Sequence, residues 1–117
     1  MICHKFVIRE IDMDILPDLV RTITDRRINP RADSYTTTLF TKGTGHIARK
    51  FGEESIELVV ASMSDKKSDV IEEAADVMYH YLVLLAQSDV NLNEVCEVLK
   101  RRHGLSGLEE KANRVES

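Results

Sequence analysis

Glu54 and Glu57 are carboxylates three residues apart, and Glu73 and Asp76 repeat the spacing nineteen residues on. On a helix each pair sits on one face, one turn apart, where like charges repel. Glu54 shares its sector of the wheel with Ile47, Phe51, Leu58 and Ala61. Glu73 and Asp76 share theirs with Val77 and Leu84. The four acids therefore point toward, or to the rim of, an apolar stripe. An ionised carboxylate is expensive to bury without a partner. Four converging ones need positive charge between them, and hard oxygen ligands on rigid elements suit Mg²⁺, with Mn²⁺ as a substitute. The competing reading of each pair is a solvated acidic helix face. Its repetition on two consecutive elements, facing the apolar side both times, brings a metal site level with that reading.

Other chemistries fit less well. Di-iron bundles use Glu-x-x-His, and none of His4, His46, His80 or His103 follows a Glu by three residues. There is no G-x-x-x-x-G-K-[ST] phosphate loop. Cys3 and Cys96 are too few and too far apart for a disulfide scaffold or a cysteine zinc site, so a reduced, cytoplasmic setting is expected. Lys42, Arg49 and Lys50 bracket the first acidic cluster, and Gly43-Thr44-Gly45 precedes it, an arrangement suited to an anionic phosphate. His80, one turn beyond Asp76, reads either as an orienting group or as a histidine hydrogen-bonded inside the bundle.

The elements that must carry these groups are helices. The chain has 117 residues, enough for one domain, with 43% hydrophobic and 31% charged residues. Trp is absent, and Gly and Pro are scarce at 5 and 2, which favours long helices over many short strands. Apolar spacing predicts a helix within residues 11–28, with Asp14 as cap and Asn29-Pro30 as its stop. A Thr-rich segment, 34–42, is a weaker helix candidate ending at Gly43. A helix from Thr44 or Gly45 to about Met63 follows, then a polar connection at 64–67. Ser68 or Asp69 is expected to cap the most apolar helix, running to about Ser88 and central to the bundle. Asn91 or Asn93 caps a last helix to about Arg102, with Gly104 as its stop. The expectation is an all-α single domain over 1–117, a bundle-like arrangement of four to five helices. Residues 1–10 form an arm and 105–117 a polar tail. The N-terminus lacks a signal-peptide pattern, and no apolar run is long enough to span a membrane.

The net charge of −4 gives no bulk reason to bind nucleic acid or an anionic membrane. Setting aside the four paired carboxylates from the 20 Asp and Glu leaves 16, equal to the 16 Lys and Arg. The acidity thus belongs largely to the candidate site, and with Mg²⁺ bound that site would attract polyphosphate.

The run Ser34-Tyr35-Thr36, Leu39-Phe40, Gly43, Ile47-Ala48, Lys50, Gly52-Glu53-Glu54 and Glu57 continues into Glu72-Glu73-Ala74-Ala75-Asp76, Tyr79-His80 and Leu82-Val83-Leu84-Leu85. It closely resembles the phosphoribosyl-ATP pyrophosphohydrolases of histidine biosynthesis, within the all-α nucleotide pyrophosphohydrolase (MazG-like) superfamily. The resemblance extends from about Ile15 to Arg114 and includes the tail segment 106–112. It implies Mg²⁺-dependent hydrolysis of 1-(5-phosphoribosyl)-ATP to 1-(5-phosphoribosyl)-AMP and pyrophosphate, by a chain that looks like the stand-alone form. Carried over, it implies that Glu54, Glu57, Glu73 and Asp76 hold the metal and that Glu53 or Glu72 completes the shell or activates water. Lys42 and Lys50 would meet phosphates, and Ser34, Tyr35 and Thr36 would line the substrate site. It also implies a homodimer or higher homo-oligomer with the site between helices of paired chains. The alternatives are a housecleaning hydrolase of plain nucleoside triphosphates on the same scaffold and a non-catalytic helical module with an acidic face.

Overall fold

The computed structural model describes residue 11, residues 14–103 and residue 114. The expected arm 1–10, the tail apart from residue 114, and the stop at Gly104 lie outside the described residues. Five helices follow one another: α1 (Ile15–Ile28), α2 (Tyr35–Lys42), α3 (Thr44–Ser62), α4 (Lys67–Gln87) and α5 (Leu92–Arg102), with no strand among the described residues.

Their ends follow local chemistry in part. Ser34 caps α2 by accepting the Thr37 N–H at 3.2 Å, so the Thr-rich segment is helical despite its β-branched residues. Packing of Leu39, fully buried, outweighs the weak intrinsic propensity. Gly43 turns the chain between α2 and α3 at φ 91°, a left-handed conformation that costs a glycine little. Its N–H reaches the carbonyls of Leu39 and Phe40, both at 3.2 Å. Asn91 opens α5 with a capping box completed by Glu94.

Two expected caps differ. Asp14 precedes α1 but makes no side-chain capping bond, its own backbone being helical at φ −64°, ψ −26°. Helix α4 starts at Lys67, with Lys66 as the extended residue before it. Ser68 and Asp69 are thus inside the first turn, where Asp69 complements the helix dipole.

The core is Ile23, Leu39, Ile47, Leu82 and Val83, with Leu16, Leu19, Val20, Phe40 and Tyr79 among the partly buried residues around it. Helices α3 and α4 make the most extensive pairing, and α1 and α2 close over them. The central place expected for α4 is borne out by its buried His80, Leu82 and Val83. Where α1 ends, Arg27 donates to the Ala86 carbonyl at 2.7 Å and to Asp89 Oδ1 at 2.6 Å, tying it to the end of α4.

One surface is unlike the rest. Ile56, Val59, Val60 and Met63 recur at helical spacing along α3 and are 59% to 84% exposed. Ile71 and Met78 on α4 are exposed as well. Helix α3 therefore has two apolar faces, one filled by its own chain and one not.

Candidate active site

The α3–α4 pair sets the first acidic cluster opposite the second. One carboxylate oxygen from each of Glu54, Glu57 and Glu73 falls in a set lying within 4.8 Å of one another. Glu54 is buried, Glu73 half-buried and Glu57 exposed, so the cluster runs from the bundle interior to its rim. Oε2 of Glu54 and Oε2 of Glu73 are buried without a hydrogen-bond partner. Such orphaned acceptors cost free energy unless something fills the space between them.

Lys50 is the nearby cation. Its Nζ lies 3.5 Å from Glu53 Oε2 and 3.6 Å from Glu54 Oε1. Burial would lower the Lys50 ammonium, but Tyr35, Glu53 and Glu54 outweigh it and hold the ammonium above its ordinary value. A single lysine does not satisfy three carboxylates. Burial, then the close Glu57 carboxyl, then the charge of Asp76 push the Glu54 carboxyl up. Glu73 is raised by burial first, then by Glu57, Asp76 and Glu54.

These features fit a divalent cation. The donor set is oxygen only, two of its atoms are orphaned, and its span is little more than the ~4.2 Å across an octahedral Mg²⁺.

Asp76 differs from the wheel-based expectation. It is exposed and outside the three-carboxylate set, though its charge reaches both Glu54 and Glu73. Positions three apart on a helix differ by about 60° in direction, enough to turn the second of them toward solvent when only one side is covered. Glu72 is exposed and outside the set as well, and Glu53 points to Lys50.

Of the expected substrate residues, Tyr35 and Thr36 bridge α2 to α4. Thr36 Oγ1 lies 2.5 Å from the Tyr79 hydroxyl, and the Tyr35 hydroxyl 3.5 Å from His80 Nε2. Ser34 spends its hydroxyl on capping α2, and its side chain lines an open pocket of about 280 Å³ with Arg26, Arg31 and Thr36. Lys42 is exposed at the end of α2, apart from the bonds described here. Sequence reasoning gave Tyr79 no role. Its signal is its position, one turn beyond Asp76 and beside His80, where Thr36 of α2 reaches it.

Beyond Glu57 and Glu73 a second pocket of about 340 Å³ opens, lined also by Ile56, Val60, Ala61, Ser64 and Asp69. The acidic cleft thus runs into the exposed apolar stripe of α3.

An all-α bundle with an oxygen-only acidic cleft between two neighbouring helices, beside a lysine, fits the class of proteins that handle metal-associated phosphate. Residues 16–103 match the family model of phosphoribosyl-ATP pyrophosphohydrolase, and the chain belongs to that family. It is 47% identical over 102 residues to the phosphoribosyl-ATP pyrophosphatase of Ruegeria sp. (strain TM1040), covering 87% of this chain and 97% of that one. It is 43% identical over 101 residues to the phosphoribosyl-ATP pyrophosphatase of Geotalea daltonii, covering 86% and 95%. A phosphoribosyl-ATP pyrophosphatase of Bacillus mycoides is 43% identical over 91 residues, covering 78% and 85%.

Proposed function

We propose that this chain hydrolyses 1-(5-phosphoribosyl)-ATP to 1-(5-phosphoribosyl)-AMP and pyrophosphate with Mg²⁺, the second step of L-histidine biosynthesis, in the cytoplasm. The observation that carries the reading is the convergence of Glu54, Glu57 and Glu73 with two buried, unpartnered oxygens, in a chain of this family.

Glu54, Glu57 and Glu73 would hold the cation, with Asp76 joining from the rim. Bound there, Mg²⁺ would neutralise charge on the leaving pyrophosphate and lower the pKa of a coordinated water. Water oxygen bonds to the α-phosphorus, the bond from that phosphorus to the bridging oxygen breaks, and pyrophosphate leaves. A proton must leave the water, and Glu53 and Glu72 are the carboxylates beside the cluster that can take it. Lys50, half-buried against Glu53 and Glu54, would meet a phosphate, and Lys42 would reach one from the end of α2. Ser34, Tyr35 and Thr36 would line the substrate side.

Self-association belongs to the same reading. The outer stripe of α3 would pack on a second copy of the chain, as a homodimer or higher homo-oligomer, bringing the partner against the rim of the acidic cleft. Among the described residues no helix is long and apolar enough to cross a membrane, and the net charge of −4 supports no nucleic-acid partner.

The test is to compare pyrophosphate release from phosphoribosyl-ATP with that from plain nucleoside triphosphates. A much higher kcat/KM on phosphoribosyl-ATP is expected. Preference for the plain triphosphates would move the chain to a housecleaning role on the same scaffold. No release from any of them would leave only a non-catalytic module.

A further inference from the structure

His80 is a buried polar residue, 5% exposed, with both ring nitrogens directed. Nδ1 lies 2.8 Å from the Asp76 carbonyl oxygen. A carbonyl only accepts, so Nδ1 carries the hydrogen, and in the neutral ring this leaves Nε2 as an acceptor. Nε2 faces the Tyr35 hydroxyl at 3.5 Å, a long contact of the kind that shortens when substrate seats. Tyr79 packs edge-on against the His80 ring, with centroids 5.0 Å apart, and fixes its plane. The Tyr35 ring stacks near that of Tyr79 at 6.3 Å yet stays 54% exposed. Its hydroxyl lies near enough to Lys50 to enter the electrostatics of that ammonium. The aromatic group most open to a ligand beside Lys50 is thus held, at its polar tip, from the interior of the bundle.

We propose that His80 is a positioning residue, whose Nε2 accepts the Tyr35 hydroxyl and fixes the substrate-facing Tyr35 ring beside Lys50. This rests on the reading of Tyr35 as a substrate contact. Thr36 does not substitute for it, because its hydroxyl is engaged by Tyr79 and it is itself buried.

Two amide variants separate the two nitrogens. His80→Asn keeps a donor for the Asp76 carbonyl and is too short to reach Tyr35. His80→Gln places an acceptor near the position of Nε2. The expected result is that His80→Asn and Tyr35→Phe each raise KM about fivefold, with a smaller change in kcat. His80→Gln should restore most of the loss, and the Asn/Phe double variant should be no worse than either single one. A purely structural histidine would instead lower the active fraction in both amide variants alike with KM unmoved, and its effects would multiply with those of Tyr35→Phe. Either outcome overturns the proposal.

A second readout needs no turnover. The ¹⁵N imidazole spectrum of the full chain should show His80 with hydrogen on Nδ1 and an Nε2 resonance that moves in Tyr35→Phe. Because Tyr35 is exposed, that variant should fold. A hydrogen on Nε2 in the neutral ring, or an Nε2 resonance that does not move, overturns the contact. Inactivity of the wild-type chain on phosphoribosyl-ATP would sink the functional reading instead, and the spectrum would still decide the His80–Tyr35 contact.

Discussion

Glu54 and Glu73 face one another from α3 and α4, each with its Oε2 buried and without a hydrogen bond. Neither orphaned atom helps the fold. Both carboxyls are held above their ordinary values, by burial first and by their acidic neighbours next. In the absence of metal the pair works against stability, as the proposed cation site requires.

Glu54→Gln and Glu73→Gln should therefore separate activity from stability. Each should reduce turnover by orders of magnitude. Each should also raise the melting temperature measured in chelator by a few degrees, since like-charge repulsion is relieved. Thermal melts and pyrophosphate assays on the same preparations check this. A variant that loses stability and keeps turnover would remove that glutamate from the site.

The pH dependence of the metal-free fold follows from the same shifts. Glu54 and Glu73 bind protons more tightly folded than unfolded. Their contribution is complete below the ordinary value of 4.5 and is lost as pH rises through the raised values. Asp33, lowered by Arg31, and Asp89, lowered by Arg27, act oppositely, but their contribution is complete above the ordinary value of 3.8. His46, held below its ordinary 6.5 by burial and then by Lys42, Arg49 and Lys50, acts oppositely over the same range. The urea midpoint of the wild-type chain relative to that of the Glu54→Gln, Glu73→Gln double variant, both in chelator, should thus fall from about pH 5 toward neutrality, and Mg²⁺ should flatten the slope. A relative midpoint that rises over this range in chelator would contradict the assignment.

Arg27 tests the scaffold apart from the chemistry. Removing its bonds to Ala86 and Asp89 by Arg27→Gln should cost about 1 kcal/mol. Urea unfolding measures the loss, and turnover per folded molecule should be unchanged because the bond lies at the far end of α4 from Glu73. The turn it holds includes Asp89 at φ 56°.

The outer stripe of α3 predicts assembly. Sedimentation should give a dimer or larger species, and Val60→Lys should shift it toward monomer. A wild-type chain that stays monomeric at high concentration would leave the exposed stripe of α3 unexplained.

The long helices and the acidic pairs were readable because each is written within one element. The 3.6-residue period of α3 and α4 shows their inner faces, and Glu54 falls on one of them as the wheel indicates. Depth is not written there. Asp76 shares a sector with Val77 yet is exposed, because the covering helices decide where the rim falls. Helix α2 looked weak for its threonines, and a serine cap and the burial of Leu39 override that. Helix α4 starts two or three residues earlier than a cap at Ser68 or Asp69 would place it, because its first turn forms without a side-chain cap. The Thr36–Tyr79 and Tyr35–His80 contacts join residues 43 and 45 positions apart. No single-helix pattern encodes such a pairing, so it emerges only when α2 packs on α1 and α3 and its side chains reach α4.

The most direct measurement is pyrophosphate release by the purified chain from 1-(5-phosphoribosyl)-ATP, titrated with Mg²⁺ and then with chelator. Release of one pyrophosphate per 1-(5-phosphoribosyl)-AMP formed, rising with Mg²⁺ and abolished by chelator, is the predicted result. Turnover that persists in chelator, release of orthophosphate in place of pyrophosphate, or no turnover at any Mg²⁺ concentration would contradict it.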